Sequence, residues 1–411
     1  MAGITGQGTT FNLPNYVGEL FAASPTDTPF LSSIGGLTGG EQAESTYFQW
    51  QGYDLRDADE TRQRVEGANA PTAEARVRFN VGNVVEIHQE ALEVTYTKLA
   101  ATGQYNSTGS SHPGSVGVNG SNPVANELDW QTQRHLEQIA RDIERSFIVG
   151  TFNNPSTNAT ARRTRGILEA TTTNVAAGGG AAVGTAVIEA DDETFTIAAH
   201  GMANGQAVTL SSLTGGAVGV VKENQTYYVV NTATNTFKLA TKPGGTAIAF
   251  STDGGAVVTK NVALTEAMIL DLLQTVWENG GIQMSETATV MVNGSLKRAL
   301  TNIFITAKGF QETSRDVGGV HLQTIETDFG RLNIMLNRWM PSSVLQVVSL
   351  EECAPVFLPI PGKGFLFTEP LGKAGAAEKF QIYGEVGLKY GNEKAHGRLT
   401  GVTADDNPLA P

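Results

Sequence analysis

The residues that could bind a metal ion or transfer protons are scattered along the chain. The six histidines stand at positions 88, 112, 135, 200, 321 and 396. No two of them have the spacing that places two ligands on one helix face, and no cysteine cluster lies near them. We therefore expect no metal site and interpret each histidine as a surface or structural residue. Cys353 is the only cysteine, so we expect no intrachain disulfide and a buried structural thiol.

Two carboxylate clusters suggest a calcium site or a pair of catalytic acids. They are Asp57, Asp59 and Glu60, and Asp191, Asp192 and Glu193. Neither cluster has the alternating ligands and distal glutamate of a calcium loop, and paired catalytic acids are recognised only by their geometry. A solvated turn is the interpretation that we favour for both clusters.

Glycine-rich stretches suggest a phosphate-binding loop, but the required residues are missing. Gly362, Lys363 and Gly364 lack the following Ser or Thr and the upstream glycine of such a loop. The chain also has no Gly-x-Ser-x-Gly sequence, which would present a nucleophilic serine. We therefore predict no cofactor and no catalytic site, and interpret the glycines as turn residues.

The charge balance argues against a protein whose main task is to grip nucleic acid. Asp and Glu number 41 against 28 Lys and Arg, for a formal net charge of -13, whereas phosphate neutralisation needs clustered basic residues. The one local basic cluster consists of Arg162, Arg163 and Arg165. It could contact phosphate, but we favour a solvated loop or pairing between subunits.

The first part of the chain predicts an arm followed by a hairpin. Residues 1–40 are rich in Gly, Thr, Ser and Pro without sustained periodicity, which indicates an extended arm. Residues 41–97 contain two runs of alternating apolar and polar side chains, residues 46–53 and residues 77–96. The charged residues 54–74 separate these runs, so the pattern predicts two strands and a long protruding loop.

Helical periodicity occurs in three places. Asn122 can cap a helix over about residues 122–149, which would be roughly 40 Å long. A second helix is predicted from Thr265 to Gly280 and a third from Ser295. Later runs predict strands of a closing sheet; they cover residues 332–336, 344–350, 354–360 and 380–390. The body is therefore expected to be of the α+β class.

Residues 178–260 differ in character from the rest of the chain. Short runs of high β propensity are separated by turns such as Asn204-Gly205, and this spacing predicts a small all-β sandwich or barrel. The runs cover residues 194–197, 207–213, 226–231, 236–240, 247–250 and 256–259. Because glycines bound the segment at both ends, we expect its ends to lie close together and the segment to interrupt the body.

The order of these elements resembles the tailed-bacteriophage major capsid protein, the Hong Kong phage capsid fold. The likeness is carried by Gly3-Ile4-Thr5-Gly6, Asn12-Leu13-Pro14-Asn15-Tyr16, Asp27-Thr28-Pro29-Phe30-Leu31, and Tyr383-Gly384-Glu385 through Tyr390 to Gly397. It implies an N-terminal arm (1–40), an extended loop (41–97), a peripheral domain with the spine helix (98–177), and an apical domain with a closing peripheral sheet (261–411). The inserted β domain, residues 178–260, is then expected to face outward.

The resemblance also implies what the chain assembles with. Pentamers and hexamers of this one protein would form an icosahedral shell around double-stranded DNA, without sequence-specific binding, together with a portal and scaffold or decoration proteins. We expect no membrane association, because residues 1–16 lack a secretion signal and no segment approaches the apolar length of a span. The expected location is the virion capsid, after assembly in the host cytoplasm.

The charged part of the hairpin is the candidate subunit contact. Its arginines could bridge carboxylates of a neighbouring subunit, and its acids could accept such bridges. The candidate residues are Arg56, Arg62, Arg64, Asp57, Asp59 and Glu60. Some relatives cross-link through a Lys on this loop and an Asn of a neighbour, but residues 41–97 contain no Lys, so we expect a non-covalent shell.

Two other functions remain open from the sequence. An encapsulin-type bacterial nanocompartment shell would use the same fold around protein cargo, and its contents would distinguish it. A β-rich surface or glycan-binding protein would rely on the inserted domain. The missing secretion signal and the long helices argue against this second alternative.

Overall fold

The computed structural model describes residues 26–53, 55, 58–97, 127–180, 182–191, 193–282, 288–306, 324–372 and 375–409. Most of the predicted arm, the loop residues Arg56 and Asp57, and the predicted helix start at Asn122 lie outside these ranges. The chain forms two compact units.

The described helices are α1 (Pro29–Ser33), α2 (Glu127–Val149), α3 (Ile167–Ala170), α4 (Glu266–Glu278) and α5 (Gly294–Thr301). Short helical turns of other types follow at Asn302–Thr306, Leu350–Glu352 and Glu393–Ala395. The described strands are β1 (Glu41–Gln42), β2 (Tyr47–Tyr53), β3 (Arg78–Val84), β4 (Glu86–Thr95), β5 (Val175–Ala177), β6 (Ala182–Glu189), β7 (Thr194–Thr196), β8 (Ala207–Gly215), β9 (Thr226–Val230), β10 (Thr236–Ala240), β11 (Gly254–Lys260), β12 (Val262–Ala263), β13 (Ala288–Val292), β14 (Thr324–Thr327), β15 (Gly330–Leu336), β16 (Val344–Ser349), β17 (Ala354–Phe357), β18 (Leu366–Pro370), β19 (Ala377–Lys389), β20 (Gly397–Thr400) and β21 (Val402–Thr403).

The first compact unit consists of Met1–Asp27, His88–Arg141 and Leu366–Tyr383. Strands β4 and β18 both pair with β19. An ion pair of 2.9 Å between Lys379 and Glu93 adds to the pairing of β4 with β19. The unit is therefore held by strand pairing and by polar contacts across the strands.

The second unit, Thr28–Ile87, Asp142–Phe365 and Gly384–Pro411, contains a six-stranded sheet in the order β14-β15-β13-β16-β20-β5. Helices α4 and α5 share one apolar core with the face of this sheet that carries Val290, Val347 and Leu399. The side chains of Thr265 and Asn293 cap the two helices by accepting backbone hydrogen bonds. The predictions of the second and third helices are confirmed.

Two strand predictions in the body need correction. Residues 77–96 form two strands, because the chain stays buried from Asn83 to Glu86 and alternation is lost there; β3 pairs with β2, whereas β4 pairs with β19. The four predicted closing strands exist, but they do not form one sheet. Strands β15 and β16 belong to the six-stranded sheet, and β17 pairs with β19 in another.

The inserted segment is a closed barrel in the order β10-β7-β6-β11-β8-β9. Phe195 and Phe237 stack inside it with ring centroids 5.4 Å apart. The inserted β domain is thus confirmed, but the strand predicted over residues 247–250 is wrong, since only Ala247 forms an isolated bridge. Strand β6 was not predicted, although closure depends on it because it pairs with both β7 and β11.

The barrel interrupts the body at one point. On entry, Gly178 N–H donates to Thr400 O (2.8 Å), and on exit Val262 N–H donates to Gly401 O (3.0 Å). The first and last barrel strands, β6 and β11, are antiparallel partners. Gly180 has no room for a side chain, because a Cβ there would lie 1.8 Å from Lys260 O.

Candidate functional site

The hairpin of β2 and β3 carries the candidate contact residues. Its two strands pair in uninterrupted antiparallel register from Tyr47↔Val84 to Tyr53↔Arg78. Every described residue between Tyr53 and Asn80 is exposed except Arg62, which is half-buried. The hairpin therefore presents a long exposed loop on a regular two-stranded stem.

Aromatic rings cover the glycines of this stem. A Cβ at Gly52 would lie 2.5 Å from the Phe79 ring, and one at Gly82 would lie 2.4 Å from the Tyr47 hydroxyl. Glycine in a strand supplies no packing surface of its own, and a ring lying across it restores that contact. The two ring–glycine pairs thus stabilise the two-stranded ribbon of β2 and β3.

The base of the hairpin is fixed by Asn83, which is fully buried. Its amide Nδ2 donates to Leu388 O (2.7 Å) and Arg165 O (3.1 Å), and its Oδ1 accepts from Arg165 N–H (2.8 Å) and Val84 N–H (2.9 Å). These bonds use both donors and both lone pairs of the side-chain amide. Close by, Trp50 Nε1 donates to Gly391 O at 2.8 Å.

His396 supports the loop segment that receives Trp50. Its Nδ1 accepts a hydrogen bond from Ser349 N–H (3.3 Å), so Nε2 carries the proton and donates to Tyr390 O (2.9 Å). Burial lowers the pKa of His396 below its ordinary value. The neutral imidazole is therefore a structural group, as the sequence predicted.

The structure brings some of the predicted contact residues together and not others. Arg62 forms ion pairs with Asp59 (Nε–Oδ2, 3.3 Å) and with Glu74. The hydrogen bond and charge of Arg62 lower the pKa of the Glu74 carboxyl. Arg64 and Glu60 are exposed. The sequence interpretation missed Glu74, although it stands at the end of the charged stretch.

Two arginines of the basic cluster have partners within the chain. Arg162 Nη2 donates to Glu385 at 2.9 Å, and Arg165 Nη1 donates to the Tyr390 hydroxyl at 3.1 Å. Both side chains are half-buried, so the interpretation as a solvated loop is wrong for these two arginines. Arg163, by contrast, is exposed.

A buried carboxylate that the sequence did not single out joins α2 to α1. Glu144 is fully buried and accepts hydrogen bonds from Phe30 N–H (3.0 Å), Leu31 N–H (2.6 Å) and Asn337 Nδ2 (2.6 Å). These bonds compensate the cost of removing the carboxylate from water. They also hold α1 against α2.

Other residues that could react or bind a metal ion have structural roles. Cys353 is a buried free thiol whose pKa is raised by burial. Within the described ranges, no group of three His, Cys, Asp or Glu side chains is placed to hold a metal ion. None of the helices in the described part of the chain has the length and apolarity of a membrane span.

Two solved capsid structures have a similar fold. The capsid of a native GTA particle, solved with C5 symmetry, has a TM-score of 0.51 at 11% sequence identity, covering 97% of this chain and 98% of that chain. The capsid of cyanophage A-1(L) has a TM-score of 0.50 at 10% identity, covering 96% and 98%. The fold is therefore that of the tailed-phage capsid proteins.

The sequence comparison assigns the family. Residues 3–403 match the model of the SU10 major capsid protein family, and the chain belongs to this family. The major capsid protein of Escherichia phage Phieco32 is 26% identical over 401 residues, covering 95% of this chain and 94% of that protein. The protein is a phage major capsid protein, a structural subunit of the homo-oligomeric shell of the virion.

Proposed function

We propose that the hairpin is the surface through which neighbouring subunits join into an icosahedral shell of pentamers and hexamers. The supporting observation is the contrast between its anchored base and its exposed end. Asn83 is fully buried, whereas Tyr53 is 70% and Val77 is 76% exposed. Covering such side chains removes apolar surface from water, which favours contact between this end and a neighbouring copy.

The charged loop complements this apolar contact. Arg62 forms ion pairs with both Asp59 and Glu74, so charges of both signs lie together on the exposed loop. The proposed contacts to neighbouring subunits are Arg56, Arg62, Arg64, Asp57, Asp59 and Glu60. Exposed pairs of this kind contribute little to stability, so their role is to select the orientation of the partner.

The remaining parts of the proposal follow from the family. The shell encloses double-stranded DNA without sequence-specific contacts, assembles in the host cytoplasm with a portal and scaffold or decoration proteins, and performs no catalysis. Residues 1–40 act as the arm, 98–177 as the peripheral domain, 261–411 as the apical domain with the strands that complete the peripheral domain, and 178–260 as an outward-facing barrel. Without Lys in residues 41–97, the contacts between hairpins and neighbours stay non-covalent.

Replacing Arg56, Arg62 and Arg64 together with Ala tests the hairpin proposal. We expect soluble capsomers or monomers in place of particles, measured by sedimentation and electron microscopy. Arg163→Ala is the matched control, because this arginine is exposed but lies outside the hairpin. Normal particle yield from the triple variant would refute the proposal, and a ladder of denatured multimers above the 43.4 kDa chain would refute the non-covalent shell.

A further inference from the structure

The C-terminal residues 404–409 run along the inserted barrel. Ala207 N–H, at the start of β8, donates a hydrogen bond to Asp406 O at 2.7 Å. Gly205 lies directly beneath the segment, because a Cβ there would lie 2.5 Å from Asn407 Oδ1 and 2.6 Å from Leu409 Cβ. Its φ of +87° also favours glycine. The absence of a side chain at Gly205 therefore lets residues 407 and 409 pack against the barrel surface.

A second set of contacts lies beside the first. The Tyr228 hydroxyl hydrogen-bonds the Thr403 side chain, and burial together with the charge of Asp405 raises the pKa of Tyr228. On the body, Ser343 Oγ donates to Asn224 O at 2.5 Å. The barrel is therefore held at several points that are far from its entry and exit in sequence.

The covalent connections alone would leave the barrel free to swing. Its two ends leave the body side by side, through Gly178 and Val262, so the covalent connections restrain the barrel at one point only. The residues from 404 to 406 are exposed, so they add little to the apolar core of the barrel. Their contacts restrain its orientation without being needed for its fold.

We propose that residues 404–409 form a strap that holds the inserted barrel in one orientation on the body of the subunit. The strap is a segment of the same chain, and its contacts are the backbone bond to Ala207 and the surface around Gly205. Removing the strap leaves the barrel folded but held to the body by fewer contacts, among them the hydrogen bond from Ser343 Oγ to Asn224 O, so its orientation is less restrained.

Truncating the full chain after Thr403 tests the strap, and truncation after Leu409 is the matched control. Hydrogen exchange of the Ala207 amide should become about tenfold faster or more, as expected for loss of its hydrogen bond. Trypsin cleavage after Lys260, at the exit of the barrel, should also accelerate. The amides of Phe237 and Val258 inside the barrel should keep their protection.

Two results would overturn the proposal. Unchanged exchange at Ala207 with unchanged cleavage after Lys260 would show that residues 404–409 restrain nothing. Loss of protection at Phe237 and Val258 would show that the segment is part of the barrel fold and not a restraint on its orientation.

Discussion

The hairpin and the inserted barrel are both built from antiparallel strands, but their apolar side chains have opposite environments. In the barrel Phe195, Phe237 and Leu210 are fully buried, because closure gives the sheet an inside. The hairpin has two strands and no inside, so Tyr53 and Val77 stay exposed. The barrel completes its packing within one chain, whereas we expect the hairpin to complete its packing only in the assembled shell.

The largest effect on stability is expected inside the barrel. Phe237→Ala removes a fully buried ring that stacks on Phe195, so it should lower the free energy of unfolding of the barrel by about 3–5 kcal/mol. Hydrogen exchange of the barrel amides measures this loss. Phe79→Ala in the hairpin is the control and should cost less, because this ring is 50% exposed. Equal losses would contradict the comparison.

A smaller loss is expected at the base of the hairpin. Asn83→Ala removes the side-chain partner of Leu388 O and of the backbone N–H and C=O of Arg165, which should cost about 1–3 kcal/mol. Urea unfolding of the two variants Asn83→Ala and Asn80→Ala gives the comparison, since Asn80 is exposed on the same strand. If both variants unfold at the same urea concentration, Asn83 does not anchor the hairpin.

His396 predicts a pH dependence of stability. Because burial lowers its pKa below the ordinary 6.5, the unfolded chain takes up the proton more readily. The stability that neutral His396 contributes to the fold is therefore fully present above pH 6.5. It is lost as the pH falls toward the pKa that His396 has in the folded protein. Each tenfold difference in proton affinity between the folded and the unfolded chain changes the free energy of unfolding by about 1.4 kcal/mol.

The measurement is urea unfolding between pH 7 and 5 for the protein and for His396→Gln. The variant should lose less stability over this range than the parent. This window lies above the range in which Glu393, whose pKa is lowered from 4.5, changes stability. Parallel pH profiles would contradict the assignment.

The smallest effect on stability, and the clearest on assembly, is expected at the exposed end of the hairpin. Val77→Ser should change the free energy of unfolding by about 0.5 kcal/mol or less but lower particle yield. Val187→Ser on the barrel is matched in exposure at 57% and should leave particle yield unchanged when particles are counted by electron microscopy. Equal yields from the two would mean that exposure alone does not mark the contact.

Local sequence patterns predicted the elements whose signals are local. The cap at Thr265 and the alternation in residues 46–53 are of this kind, and the structure contains the corresponding helix and strand. The run of residues 182–189 was missed because it is rich in small residues and carries Gly184 at a φ of +143°, which weakens the strand pattern. Strand β6 is stabilised instead by its hydrogen-bonded pairing with β11 on one side and β7 on the other.

Buried charged residues that join distant parts of the chain were harder to predict, because their partners are remote in sequence. Glu144 binds the amide of Phe30, 114 positions away, and the side chain of Asn337, 193 positions away. A carboxylate in a polar helix gives no sign of such burial. The same holds for Arg162, whose partner Glu385 is 223 positions away.

A density map of assembled particles, at a resolution that traces the chain, would show what the hairpin contacts. We expect the exposed end of the hairpin, between Tyr53 and Asn80, to lie against a second copy of the chain, with Val77 and Phe79 covered by it. A hairpin that contacts only its own subunit, or that stays exposed to solvent in the particle, would contradict the account.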